Sequence, residues 1–129
     1  MEAPKDVKLF EGELATFWFD ESGILCANSK IIERTMENQK RNYDFIREIC
    51  ANKKVCILTD TTTSSPLEKE VRNYVANEIK TVFNAMAIIS HSALGKMISN
   101  SFLMLHTPAI PVKFFSDEKE AKVWLHNFM

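Results

Sequence analysis

The chain has 129 residues, 46% of them apolar and 26% charged, with a net charge of −1. That length suits one domain that closes a single core without disulfides or metals. The near-zero charge excludes a general nucleic-acid binder, which needs surplus Lys and Arg against phosphate, and no apolar run approaches the ~20 residues of a membrane span.

The elements follow in chain order. Val7 to Phe10 reads as a short edge strand. Leu14-Ala-Thr-Phe-Trp-Phe19 and Ile24-Leu-Cys-Ala27 read as two strands of a hairpin around the turn Asp20-Glu-Ser-Gly23. Trp18 and Phe19 are adjacent in a strand and so point to opposite faces, which predicts cover on both sides. From Glu33 to Ala51 an imperfect stripe of Ile32, Met36, Tyr43, Ile46, Ile49 and Cys50 predicts a helix. The stretch from Lys30 to Lys54 holds seven basic and four acidic side chains, read as a solvated helix face.

Val55 to Thr59 is a strand ending against Asp60 and a run of five hydroxyl residues, Thr61 to Ser65. Ser65-Pro66-Leu67-Glu68 then has the form of a capping box with proline at the first helical position. Leu67, Val71, Tyr74, Val75, Ile79 and Val82 give that helix one buried face. Ala85-Met-Ala-Ile-Ile89 lacks alternation and predicts a strand covered on both faces. Ala93 to His106 predicts a third helix, stopped by Thr107-Pro108. Pro111 to Phe115 is a last strand, and Ser116 caps a closing helix with Asp117 and Glu118 in its first turn.

The expected fold class is therefore α/β: an N-terminal hairpin, then βα alternation in a mixed, mostly parallel sheet with about four helices, as a single domain over residues 1–129. Cys26, Cys50 and Cys56 form no CxxC pair, and each sits in an apolar context, as in a reducing cytoplasm. Met1 to Lys8 lacks the apolar stretch of a secretory leader, so the expected location is cytoplasmic.

This order resembles the STAS fold of bacterial anti-sigma-factor antagonists, and more closely the small stand-alone SpoIIAA-like proteins. The residues that carry the likeness are Leu58-Thr-Asp60, Glu70-Val-Arg72 with Tyr74, Ala85-Met-Ala-Ile-Ile89, and the run from Pro108 to Leu125. The resemblance implies a non-enzymatic regulatory or protein-interaction module with an unidentified protein partner and no cofactor. In the antagonists an Asp-Ser-Ser-Gly loop is phosphorylated on serine. The corresponding stretch here is Thr63-Ser-Ser-Pro-Leu67, without that aspartate or glycine, and the resemblance places the candidate phosphosite at Ser64 or Ser65.

The candidate docking edge gathers the residues that follow the two central strands: Asp60, Thr61, Thr62 and Thr63 from one loop, and Ser90, His91 and Ser92 from the other. Asp60 suits local turn hydrogen bonds, and His91 suits a solvated loop. With a loop hydroxyl the two would form a hydrolase set, although the chain has neither a GxSxG elbow nor a glycine-rich oxyanion loop. No His, Cys and carboxylate spacing suggests a metal site. Phe102-Leu-Met-Leu105 puts apolar residues on every face of a helical turn, so Phe102, Leu103 or Met104 needs a second contact. Burial in the monomer, a homodimer contact and a small apolar ligand, as in the CRAL-TRIO lipid carriers, are all open.

Overall fold

A computed structural model describes residues 1–61, 67–91 and 108–129. Six strands form one sheet in sequential order: β1 (Phe10–Glu11), β2 (Ala15–Phe19), β3 (Leu25–Ser29), β4 (Val55–Asp60), β5 (Phe83–Ile89) and β6 (Val112–Phe115). β1, β2 and β3 pair antiparallel; β3 to β4, β4 to β5 and β5 to β6 are parallel. The change of direction follows from the connections. The hairpin needs only a turn, whereas β3–β4 and β4–β5 are joined through α1 (Met36–Ile49) and α2 (Lys69–Val82).

The hairpin turn is held by one carboxylate. Asp20 Oδ1 accepts from the Ser22 amide at 3.0 Å, the Ser22 hydroxyl at 2.9 Å and the Ile24 amide at 2.8 Å. Gly23 supplies φ +92°, which side chains rarely adopt.

The strand period of two divides the core into two layers. On one face, Phe17, Leu25, Ala27, Ile57 and Phe83 pack under Tyr43 and Ile46 of α1 and Ile79 and Val82 of α2. On the other, Trp18, Cys26, Leu58, Ala85 and Ala87 pack under Ala121 and Leu125 of α3 (Glu118–Leu125). Trp18 and Phe19 do face opposite layers. From Ala85 to Ile89, β5 is covered on both faces, as its unbroken apolar run predicts. Ala85, Ala87 and Ile89 are buried while Met86 and Ile88 are half-buried. The ladder slips between Val55 and Cys56, so Val55 pairs with Phe83 but Cys56 pairs with Ala85. Exposed Asn84 is the extra residue of a bulge, and Phe83 thereby shares a layer with Met86 although two odd-numbered neighbours face the other way.

Helix ends depart from the sequence reading for local reasons. α1 begins at Met36, not Glu33, because Thr35 and Asn38 form a reciprocal capping box. It ends at Ile49, where Ala51 and Asn52 turn left-handed with φ 52° and 59°. α2 begins at Lys69: Leu67 and Glu68 are not helical, and Glu68 is the N-cap, with no side-chain bond. The expected box with Glu68 inside the helix is thus overturned, while Ser65 lies outside the described residues. α3 is capped by Asp117, whose Oδ1 accepts from the Lys119 amide at 3.1 Å, and not by Ser116. The aspartate brings an acceptor and a favourable charge to the same helix end. Among the described residues the helices number three, not four, and the expected helix from Ala93 to His106 lies outside them.

Candidate functional site

β4 ends at Asp60, opposite Asn28 of β3 and Ile89 of β5, so the loop after β5 starts beside it. Asp60 is buried, and its Oδ2 takes the Met1 ammonium at 2.8 Å and lies 3.3 Å from His91 Nε2. Asn28 Nδ2 donates to the Met1 carbonyl at 2.6 Å, pinning the same N-terminal segment. These contacts are long-range, unlike the local turn bonds expected of Asp60. The His91 ring stays 60% exposed, in line with a solvated loop.

Asp60, Thr61, Ser90 and His91 therefore converge on one edge of the sheet. Thr62, Thr63, Ser64, Ser65 and Ser92 lie outside the described residues, as do Phe102, Leu103 and Met104. Asp60 can orient the His91 imidazole through that contact. Among the described residues no hydroxyl hydrogen-bonds His91.

A cavity of about 270 Å³ lies between the sheet and the two helices α1 and α2. Ala27, Ile57, Val75, Phe83, Met86 and Ile88 form its apolar wall. Thr59 and Thr61 carry that wall up to the edge where Asp60 sits, and Leu67, which the sequence assigns to a helix, lines it instead. The polar part comes from α1 and the turn before it: Arg34, Gln39 and Asn42.

Local structure sets those three in place. Arg34 immediately precedes Thr35, whose hydroxyl accepts from the Asn38 amide at 3.1 Å. Asn38 Oδ1 accepts from the Thr35 amide at 2.8 Å and Nδ2 donates to the Glu33 carbonyl at 2.7 Å, so backbone groups on both sides of Arg34 are tethered. Arg34 Nη2 donates to the Lys30 carbonyl at 2.9 Å, and its buried Nε has no hydrogen-bond partner. Asn42 Oδ1 is likewise buried and unpartnered. Burial pushes the Arg34 guanidinium below its ordinary pKa.

This polar group escapes a reading of the sequence that treats the basic residues from 30 to 54 as one solvated face. One signal was available. Gln39 falls between Met36 and Tyr43 on the buried stripe of α1, three or four residues from each, where an apolar residue belongs. Gln39 is in fact buried.

A sheet that opens with an antiparallel hairpin, continues through parallel βα units and carries helices on both faces is a SpoIIAA-like fold. An uncharacterised protein of the DUF3478 family from Shewanella loihica PV-4, described as having that fold, matches over 97% of this chain and 98% of its own, with TM-score 0.55 and 16% identity. The likeness at that identity is one of fold. A protein of unknown function from Arthrobacter sp. fb24 covers 96% of each chain at 21% identity, with a weak TM-score of 0.31. Residues 17–129 match the family described as domain of unknown function DUF7793, and the chain belongs to that family. No curated protein matches it. Among the described residues no helix is long and apolar enough to cross a membrane.

Proposed function

We propose that this domain is a non-enzymatic binding module that holds a small, mainly apolar molecule between its sheet and helices α1 and α2. The observation that carries this reading is the cavity of about 270 Å³, with an apolar wall and a few convergent polar groups, the usual make-up of a small-molecule site. Phe102, Leu103 and Met104, expected from the sequence to make an apolar contact, lie outside the described residues, so the ligand contacts named for this reading are those of the described cavity wall. They lie on Ile57, Met86 and Ile88 of the sheet.

A neutral probe tests it. Titration with 1-octanol should give a saturable rise in melting temperature, because a ligand that binds only the folded state stabilises it. Ile88→Trp should fill the cavity and abolish that rise while keeping the native circular dichroism. Absence of any saturable shift in the wild type, with no small molecule co-purifying in native mass spectrometry, would sink the reading.

A second reading concerns the edge itself. His91 is exposed beside buried Asp60, and Thr61 belongs to the cavity wall, so a protein partner docking on Asp60, Thr61, Ser90 and His91 would sense the cavity's contents. Such coupling would make the domain a ligand-responsive regulatory module. The expected partner is an unidentified protein or a second copy of the chain. Sedimentation velocity of wild type and His91→Glu, with and without 1-octanol, tests the homodimer arm: a dimer should form and weaken in the variant. A monomer under every condition removes the second-copy partner.

A further inference from the structure

Arg34 is the one charged side chain on the cavity wall among the described residues. Three neighbouring cations each have their own acid: Lys30 pairs with Glu11 at 3.1 Å, Arg41 with Glu13 at 2.8 Å, and Arg47 with Asp44 and Glu78. Among the described residues no carboxylate pairs with Arg34, and residues 62–66 and 92–107 contain no Asp or Glu that would supply one. A half-buried guanidinium without a counter-ion is costly, because it gives up hydration and gains only one carbonyl in return. Its position is nonetheless fixed by the tethers on Thr35 and Glu33.

We propose that the cavity takes a small carboxylic acid with an apolar tail, its carboxylate paired with the Arg34 guanidinium and its hydrocarbon lying on Ile57, Met86 and Ile88. This rests on the binding role proposed above and names the ligand class for the same site. A planar guanidinium matches a carboxylate in geometry as well as charge. A flip of the Asn42 amide would turn its Nδ2 donors to where the unpartnered Oδ1 now stands, giving the carboxylate a second donor. The single positive charge and the apolar wall select against a dianion, which would bury an uncompensated charge.

Octanoate and 1-octanol share a tail and differ in the head, so isothermal titration of the full chain with each reads the inference directly. Octanoate should bind about 10- to 100-fold more tightly at neutral pH, the range expected for a charge-assisted pair that is partly buried. Arg34→Gln should remove that preference, and Arg34→Lys should restore part of it. Inorganic phosphate should not displace octanoate at comparable concentrations. Equal affinity for the two probes in the wild type overturns the inference while leaving the apolar cavity in place. So does an octanoate preference that survives in Arg34→Gln, or efficient displacement by phosphate. Failure of both probes to bind overturns the cavity reading and the inference together. Because the octanoate to 1-octanol comparison is made in the wild type, it decides the matter even if Arg34→Gln does not fold.

Discussion

Replacing Asn38 by alanine should destabilise the domain far more than a change at a polar residue of a helix's first turn usually does. Asn38 is only 5% exposed and works in two directions, accepting from the Thr35 amide at 2.8 Å and donating to the Glu33 carbonyl at 2.7 Å. Asn38→Ala removes the partner of both groups. Each lost bond costs about 1 kcal/mol net, and somewhat more where the remaining group stays unmatched, giving about 2–3 kcal/mol in total. At ~2.1 cal/mol/K per residue, the 129-residue chain unfolds with an entropy of about 0.27 kcal/mol/K, so the melting temperature should fall by about 7–11 °C. Asn38→Asp separates the two bonds. It keeps the acceptor for Thr35 and adds a favourable charge at the helix start, but it sets a carboxylate against the Glu33 carbonyl. Its loss should be smaller, about 1–2 kcal/mol. Urea unfolding with unchanged m-values is the assay. A loss below about 1 kcal/mol for Asn38→Ala, or equal losses for both variants, would refute this account of the cap.

Two further outcomes follow from the core. Burial pushes the Cys26 thiol up to about 12 and the Cys50 thiol to about 11, whereas unfolded thiols ionise near pH 8.5. A raised acid pKa contributes stability that is complete below the unfolded value and lost as pH rises towards the folded one. The unfolding free energy from urea titrations should therefore hold to about pH 8.5, then fall by at least ~1.4 kcal/mol per pH unit up to about pH 11. A flat profile would show that Cys26 is not sealed in the core. Leu125→Ala should cost about 2–5 kcal/mol, since Leu125 is fully buried on the sheet, while Val123→Ala, 65% exposed on the same helix, should stay within ~0.5 kcal/mol. Comparable losses in equilibrium unfolding would mean that α3 docks on another face.

The sequence carried the sheet well because strand signals are local and repeated. Val55 to Thr59 and Ala85 to Ile89 are apolar runs between breakers, and both emerge as parallel neighbours. The closeness of Asp60 and His91 was legible for the same reason: two residues that end adjacent parallel strands share an edge. Long-range partners were not. Nothing local says that Asp60 will hold the Met1 ammonium, 59 positions away. The start of α2 misled because Ser65-Pro66-Leu67-Glu68 has the right spacing, yet Leu67 is drawn to the cavity wall and the helix waits until Lys69. Arg34 was hardest to see. Its significance comes from a void enclosed by separate elements, and a list of charges along the chain cannot represent a void.

The bulge at the start of β5 has a consequence for how chain length can vary in this domain. Removing almost any residue inside a strand turns all those beyond it inside out. Asn84 is the exception. Without it, Phe83, Ala85, Met86, Ala87, Ile88 and Ile89 alternate regularly and every side chain keeps its present layer. A chain one residue shorter at this point would therefore keep the same two layers and the same cavity wall, with a straighter strand. Position 84 is where this sheet tolerates a deletion.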